Sequence, residues 1–190
     1  MEDAISAVER VLILHDSWRS KTSLTYWNVI KLLRFCLETT HFIYQGKFYQ
    51  QSHGCAMGSP ISPIVANIFM EDFEEFAFTP LEPELWLRYV DDTFVIINQE
   101  SVAPFMEHIN SINDHIKFTH EVESEGSIPF LDVLVTRDSE GHLTTSVYRK
   151  PTHTDQYLSY ASHHPSHQKL GVVRTLASRA DDITSNPEIL

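Results

Sequence analysis

The sequence has few cysteines, no long apolar run and fewer basic than acidic side chains. Only two of the 190 residues are cysteines, Cys36 and Cys55. Neither belongs to a CxxC pair, which excludes a disulfide framework and fits a reducing compartment. No apolar stretch approaches the roughly 18 residues of a membrane span, and residues 1–4 lack the basic start of a signal peptide. These absences predict an intracellular protein, nuclear or cytoplasmic, that is not secreted and has no membrane partner.

The shortage of positive charge is local. Lys and Arg number 14 against 26 Asp and Glu, for a net charge of −12. Modules that bind nucleic acid through phosphate contacts are usually basic, so the total argues against a free-standing module of that kind. Residues 71–125 carry the whole deficit, with 14 acidic and two basic side chains. Most of these acids are expected on a solvated face, but Asp91 and Asp92 belong to a more specific pattern.

The predicted elements follow the order of an α+β domain. Apolar steps of three and four predict helices over 6–14, 23–38, 63–76, 102–113 and 169–180. An aromatic hairpin is predicted over 41–49, and strands over 85–90, 93–97, 116–122, 128–136 and 143–148. Because the predicted strands and helices do not alternate as in βαβ units, the sheet should be antiparallel and packed on helices. The core is expected to include Trp18, Trp27, Trp86 and Cys36, and the last ten residues are expected to fray.

Two adjacent carboxylates, Asp91 and Asp92, are expected at the tip of the hydrophobic hairpin 85–97. Such close like charges repel unless a cation lies beside them, and a hairpin tip normally prefers Asn-Gly or Asp-Gly. Mg²⁺ takes oxygen ligands, typically one or two carboxylates plus substrate phosphates. The pair is therefore a candidate for two-metal phosphoryl transfer, although an isolated Asp-Asp dipeptide more often has only a structural role.

The surrounding motifs supply a context for this pair. The run Gly-Cys-Ala-Met-Gly-Ser-Pro-Ile-Ser-Pro at 54–63 precedes a predicted helix, and Tyr-Val-Asp-Asp follows at 89–92. This order resembles the palm of reverse transcriptases. The sequence around these motifs resembles one branch of the family, the Penelope-like retroelement reverse transcriptases. That closer resemblance is carried by residues 46–49, 66–71, 87–95, 116–119, 128–133, 147–154 and 162–174.

The resemblance implies a partial right-hand polymerase. Residues 1–136 would be a palm without its first catalytic strand and fingers. Residues 137–190 would be a connection or thumb-like segment ending in a helical element, either of helix-turn-helix type or a thumb helix packed on the core. The implied reaction adds deoxynucleotides to a primer 3′-hydroxyl with two Mg²⁺ ions, or Mn²⁺ in their place. The implied partners are an RNA template, a DNA primer, deoxynucleotides, and the missing fingers and endonuclease segments of the same polyprotein.

The resemblance also assigns roles to the metal-binding and proton-transfer residues. Asp91 and Asp92 would bind the metal, with Asp91 as the direct ligand. Lys117 could act as a general acid toward pyrophosphate, or it could be an ordinary surface lysine on a strand.

Nucleotide and template contacts are assigned in the same way. Gly58, Ser59 and Pro60 would line the incoming nucleotide and the templating base, where small residues let backbone approach a ligand. Tyr89 and Val90 would flank the primer terminus.

Two other readings compete with an active polymerase. The third palm carboxylate of the family has no match, since Asp3 lies at a helix start, where acids commonly cap. The chain could therefore be a catalytically inactive, transposon-derived remnant that binds nucleic acid or protein. An unrelated acidic interaction domain would leave the motifs unexplained. His153, His163, His164 and His167 match no closed zinc set and are expected to be solvated.

Overall fold

A computed structural model describes residues 1–51, 54–154 and 156–185. The architecture is α+β, as predicted, and the described residues form five α-helices and three small β-sheets. The helices are α1 (Glu2–Leu14), α2 (Tyr26–Glu38), α3 (Ser62–Ala77), α4 (Val102–Ile112) and α5 (Ser166–Ile183). The strands are β1 (His41–Tyr44), β2 (Lys47–Gln50), β3 (Leu85–Tyr89), β4 (Asp92–Ile96), β5 (Ser127–Phe130), β6 (Val133–Arg137) and β7 (Leu143–Val147).

The chain divides into two compact units. The first unit contains Met1–Leu85 and Ile96–Phe118, and the second contains Trp86–Val95 and Thr119–Leu190. Every fully buried hydrophobic side chain among the described residues lies in the first unit. Each unit is described separately below.

The core of the first unit is built by three helices. It contains Ile5 and Val8 of α1, Ile30 and Leu37 of α2, and Val65 of α3. These residues recur at helical spacing on one face of each helix, as the periodicity predicts. Burial of each such side chain contributes about 2 kcal/mol to folding.

The second helix begins later than predicted and turns some apolar residues outward. Thr25, not Ser23, is the N-cap, and its hydroxyl accepts a hydrogen bond from the Asn28 amide at 3.3 Å. Trp27 is 74% exposed and Cys36 is exposed, so their assignment to the core was wrong. The reason is that α2 buries a single stripe through Ile30 and Leu37.

An ion pair ties α1 to α3. The guanidinium of Arg10 donates two hydrogen bonds to the carboxylate of Asp72, whose side chain is only 15% exposed. The hydrogen bonding to Asp72 raises the pKa of Arg10. Asp72 is therefore one acid of the block 71–125 that does not lie on a solvated face.

No strand forms over residues 116–122, contrary to prediction. The segment up to Phe118 is held instead by the side chain of Asn110 on α4. Its oxygen accepts from the Phe118 amide at 2.7 Å, and its nitrogen donates to the Phe118 carbonyl at 3.1 Å. One side chain thereby replaces the partner that a strand would need. Phe118 also stacks on Phe73 of α3, with ring centroids 5.6 Å apart.

The second unit contains a three-stranded antiparallel sheet in the order β5-β6-β7. The residue pattern of 128–136 predicts a single strand, whereas the family resemblance of residues 128–133 implies a hairpin. A hairpin forms, because Leu131 takes a positive φ of 55° and reverses the chain. At the open end of this hairpin, the Arg137 amide donates to the Gly126 carbonyl at 2.7 Å. The third strand lies where the sequence predicts it.

The last helix, α5, packs on β7. Its C-terminal end is joined to Thr145, whose hydroxyl donates to the Ile183 carbonyl at 2.6 Å and whose amide donates to the Ser185 hydroxyl at 2.8 Å. Residues 181–183 are helical, so the predicted fraying does not begin at 181. Residues 186–190 lie outside the described residues. Among the helices described, none has the length and apolarity to cross a bilayer.

Candidate functional site

The predicted catalytic hairpin is present as strands β3 and β4. Its two-residue turn consists of Val90 and Asp91, whereas Asp92 is the first residue of β4. The sequence suggested that Asp91 and Asp92 together form the turn. Instead, Asp91 is the second residue of the turn and Asp92 begins the strand that follows. Val90 has φ of +58° and is 70% exposed. A β-branched residue in that region is strained by about 1–3 kcal/mol, a cost found mainly where function requires it.

Both carboxylates of this turn are open to solvent. Asp91 and Asp92 are exposed, and neither carboxylate forms an ion pair or hydrogen bond with any residue that the structure describes. Tyr89, immediately before the turn, is also exposed. The tip of the hairpin therefore presents two adjacent negative charges without a protein cation to balance them.

The chemistry of these donors fits a hard divalent cation, because carboxylate oxygens are the ligands that Mg²⁺ prefers. The donor set is small. Within the residues described, no three His, Cys, Asp or Glu side chains come together as a possible metal site. Asp91 and Asp92 could thus hold Mg²⁺ only with further ligands from substrate phosphates, water or another carboxylate.

The predicted nucleotide loop lies in the first unit. The Ser59 amide donates to the Ala56 carbonyl at 3.3 Å, and Gly58 within this turn has φ of +87°. A Cβ added at Gly58 would meet nothing within 4 Å. The glycine is therefore required by its backbone conformation and not by close packing within the chain.

The loop is anchored at both ends. Cys55 packs against the helical core, and the Ser62 hydroxyl donates to the Ala56 carbonyl at 2.8 Å. Ser62 is the first residue of α3 and not its cap, since the N-cap position is Ile61. Between these anchors, Gly58 and Pro60 remain exposed and Ser59 is half-buried.

The predicted site residues are divided between the two units. Gly58, Ser59, Pro60 and Lys117 belong to the first unit, and residues 89–92 belong to the second. Within each unit, the loop and the acidic turn are formed as separate local structures.

Lys117 has a structural role in the first unit. Its ammonium donates to the Asn110 carbonyl at 2.8 Å and to the Asn113 carbonyl at 3.5 Å. These are carbonyls at the C-terminal end of α4, where a cation is favourable. It does not lie on a strand, and its assignment as a general acid stays a prediction.

The second unit contains a second aspartate turn, to which the sequence analysis assigns no site residue. Leu131 and Asp132 connect β5 to β6, and the Asp132 carboxylate pairs with Arg179 of α5. A cavity of about 820 Å³ adjoins this pair, with Lys150 and Tyr157 also in its wall. The family resemblance of residues 128–133 drew attention to this segment, but no sequence signal indicated that Asp132 pairs with Arg179.

The predicted loop histidines are exposed. The His153 ring lies 3.1 Å from the Tyr157 hydroxyl, and the His164 ring lies 3.1 Å from the Ser162 hydroxyl. His163 and His167 are exposed as well.

Comparison with known families decides the broad assignment. The family model for reverse transcriptase (RNA-dependent DNA polymerase) matches residues 11–123, more than half of the chain. The chain belongs to the reverse transcriptase family. The match spans both the Gly58 loop and the Asp91 turn, the two motifs that first indicated it. No curated protein and no solved structure matches the chain at a significant level.

A second family model, the animal helix-turn-helix domain, matches residues 156–190. The described part of that range contains one helix, α5, preceded by turns at 160–164. The reverse transcriptase assignment and the helix-turn-helix similarity therefore cover successive parts of the chain.

Proposed function

We propose that the chain is the palm, with part of the thumb, of an RNA-directed DNA polymerase of the Penelope-like retroelement branch. The single observation that carries this proposal is the exposed turn with two uncompensated carboxylates, Asp91 and Asp92, inside the range of the reverse transcriptase match. The α+β architecture supports it, since antiparallel hairpins and helices are what a palm requires.

The proposed chemistry is nucleotidyl transfer to a primer 3′-hydroxyl. Asp91 and Asp92 would hold Mg²⁺, with Asp91 as the direct ligand. When bound, two such ions supply activation of the attacking hydroxyl and charge neutralisation at the leaving pyrophosphate. The strained Val90 keeps the turn tight, so that the carboxylates are presented to solvent at the hairpin tip.

The remaining predicted residues would position the substrates. Gly58, Ser59 and Pro60 would line the incoming nucleotide and the templating base, because the anchored turn leaves this backbone accessible. Tyr89 and Val90 would flank the primer terminus. The proposed partners are an RNA template, a DNA primer and deoxynucleotides, together with fingers and endonuclease segments in the complete protein.

The proposed organisation follows from these roles. Residues 1–136 would form the palm, and residues 137–190 a connection or thumb-like segment. The packing of α5 on β7 supports a thumb-like helix, and the helix-turn-helix match at 156–190 supports contact with nucleic acid.

Primer extension tests the proposal. A complete polymerase that contains these 190 residues is incubated with a DNA primer on an RNA template, deoxynucleotides and Mg²⁺. Asp91→Asn should lower extension at least about a hundredfold, because a metal ligand is lost. The matched control is Asp132→Asn, which removes a carboxylate from a similar turn and should preserve extension. Full extension activity of the Asp91→Asn polymerase would refute the metal assignment.

A second candidate is a catalytically inactive remnant that binds nucleic acid. The small donor set favours it, since the described residues contain no cluster of three possible metal ligands. It predicts that the chain binds a primer–template but does not extend it, whatever stands at position 91. Mg²⁺-dependent extension that requires Asp91 would exclude this candidate.

A further inference from the structure

The β1–β2 hairpin of the first unit exposes both of its faces. All eight strand residues are exposed, although two-stranded hairpins are marginally stable in water without a covering surface. Phe42 is 53% exposed and Phe48 is 78% exposed. Large aromatic side chains in such a setting commonly mark a binding surface.

The two faces differ in composition. Phe42 pairs with Tyr49 across the strands, and Tyr44 pairs with Lys47, which places these four side chains on one face. We call this group the aromatic face. The rings of Phe42 and Tyr49 are stacked, with centroids 5.4 Å apart and planes 17° apart, and Tyr44 lies 6.5 Å from Tyr49. The other face carries Ile43 and Phe48 in its centre.

The charge around the hairpin selects the ligand. Residues 39–70 contain no Asp or Glu, although the chain has 26 of them. Lys47 on the aromatic face forms no ion pair with any residue in the described ranges. In a chain of net charge −12, an acid-free stretch with an unpaired lysine is the place where a polyanion meets least repulsion.

We infer that the aromatic face of the β1–β2 hairpin is a stacking platform for single-stranded nucleic acid. Aromatic rings that accept bases, next to a cation that contacts phosphate, are the combination by which proteins bind single strands without sequence preference. The inference deepens the proposed function and rests on it for the kind of ligand. It involves neither Asp91 nor Asp92.

Binding of a labelled oligothymidylate of about ten nucleotides to the 190-residue chain, measured by fluorescence anisotropy without divalent ions, tests the inference. Phe42→Ala should weaken binding about tenfold, because one base loses its stacking partner. Phe48→Ala is the matched control: it removes the same exposed ring from the opposite face and should leave affinity unchanged. Phe42→Trp should retain binding, which separates loss of stacking from loss of folding.

Charge and strandedness give two further readouts. Lys47→Gln should reduce the slope of log affinity against log salt by about 0.7, the value for one phosphate contact to a single strand. A blunt duplex of equal length should compete weakly, since its bases are not available to stack. No oligonucleotide binding, equal effects of Phe42→Ala and Phe48→Ala, or equal binding of the duplex would each overturn the inference. Self-association lost on Phe42→Ala, without oligonucleotide binding, would also overturn it and indicate a second copy as the occupant.

The outcome can be separated from that of the proposed function. If extension requires Asp91 while Phe42→Ala has no effect on binding, the stacking platform is refuted and the polymerase proposal stands. If binding depends on Phe42 but extension never occurs, the polymerase proposal is refuted and the stacking platform stands.

Discussion

Two turns of the second unit share a backbone pattern but differ in their electrostatics. Val90-Asp91 and Leu131-Asp132 each place an apolar residue at positive φ, 58° and 55°, directly before an aspartate. Asp132 is paired with Arg179, whereas Asp91 has no partner among the described residues. The turn conformation is therefore shared by both hairpins and does not by itself indicate a functional site. The candidate function depends on a carboxylate that the fold leaves uncompensated.

The largest expected effect concerns the bracing of the Leu131-Asp132 hairpin. Gly126 has φ of +74°, and a Cβ there would lie 3.0 Å from the Arg137 carbonyl oxygen. Gly126→Ala should lower the free energy of unfolding by about 2 kcal/mol, from backbone strain and the clash together. Gly141→Ala is the control, since Gly141 also has positive φ but open space. Its cost should be about 1 kcal/mol, measured by urea denaturation, and equal costs would refute the packing argument.

Replacing the strained residue of each turn by glycine should separate strain from packing. Val90 is exposed, so Val90→Gly loses little burial and should change stability by no more than about 1 kcal/mol, in the stabilising direction. Leu131 is half-buried, so Leu131→Gly should destabilise by about 1 kcal/mol through lost apolar contact. Thermal unfolding measures both changes. Destabilisation by Val90→Gly as large as that by Leu131→Gly would mean that the two turns do not differ in packing.

Removing the cation should make the second turn electrostatically similar to the first. Arg179→Gln leaves Asp132 unpaired and should lower the free energy of unfolding by about 0.5 kcal/mol, because both partners are well exposed. Hydrogen exchange at the C-terminal end of α5 should increase, while exchange at Asp92 should not change. A loss of several kcal/mol would show that this ion pair is not an ordinary surface pair.

A third aspartate turn gives the smallest effect and a pH dependence. Hydrogen bonds from the backbone amides of His142 and Glu140, the former the larger cause, lower the pKa of Asp138. A depressed folded-state pKa stabilises the turn above the unfolded pKa of about 3.9, and that stabilisation is lost as pH falls through the folded value. Amide shifts of Glu140 and His142 should therefore titrate below about pH 4. In Asp138→Asn this titration should be absent; its persistence would assign it to another group.

Much of the fold could be predicted from local sequence. Helical periodicity located all five helices of the described residues, and Gln45-Gly46 between aromatic runs located the β1–β2 hairpin. The errors arose where tertiary contacts decide the structure. Residues 116–122 have strand-like composition, but the Asn110 side chain satisfies the Phe118 backbone. Trp27 was assigned to the core by its size, yet α2 buries a different stripe.

The candidate site was predictable in its residues but not in its geometry. The Gly58 loop and the Asp91 turn both form near their expected positions. The turn is Val90-Asp91 because Val90 takes a positive φ, a conformation that its β-branched side chain disfavours. Residue propensities therefore could not predict this turn. The pairing of Asp132 with Arg179, 47 positions apart in sequence, depends on the packing of α5 and was equally inaccessible.

We expect the Asp91 turn to bind a divalent cation because its carboxylates are unpaired. Paramagnetic broadening by substoichiometric Mn²⁺ in amide NMR spectra tests it most directly. We expect the signals of residues 90–92 to broaden in the unsubstituted chain and in Asp132→Asn, and to stay sharp in Asp91→Asn. Broadening that persists in Asp91→Asn, or that disappears equally in Asp132→Asn, would contradict the account.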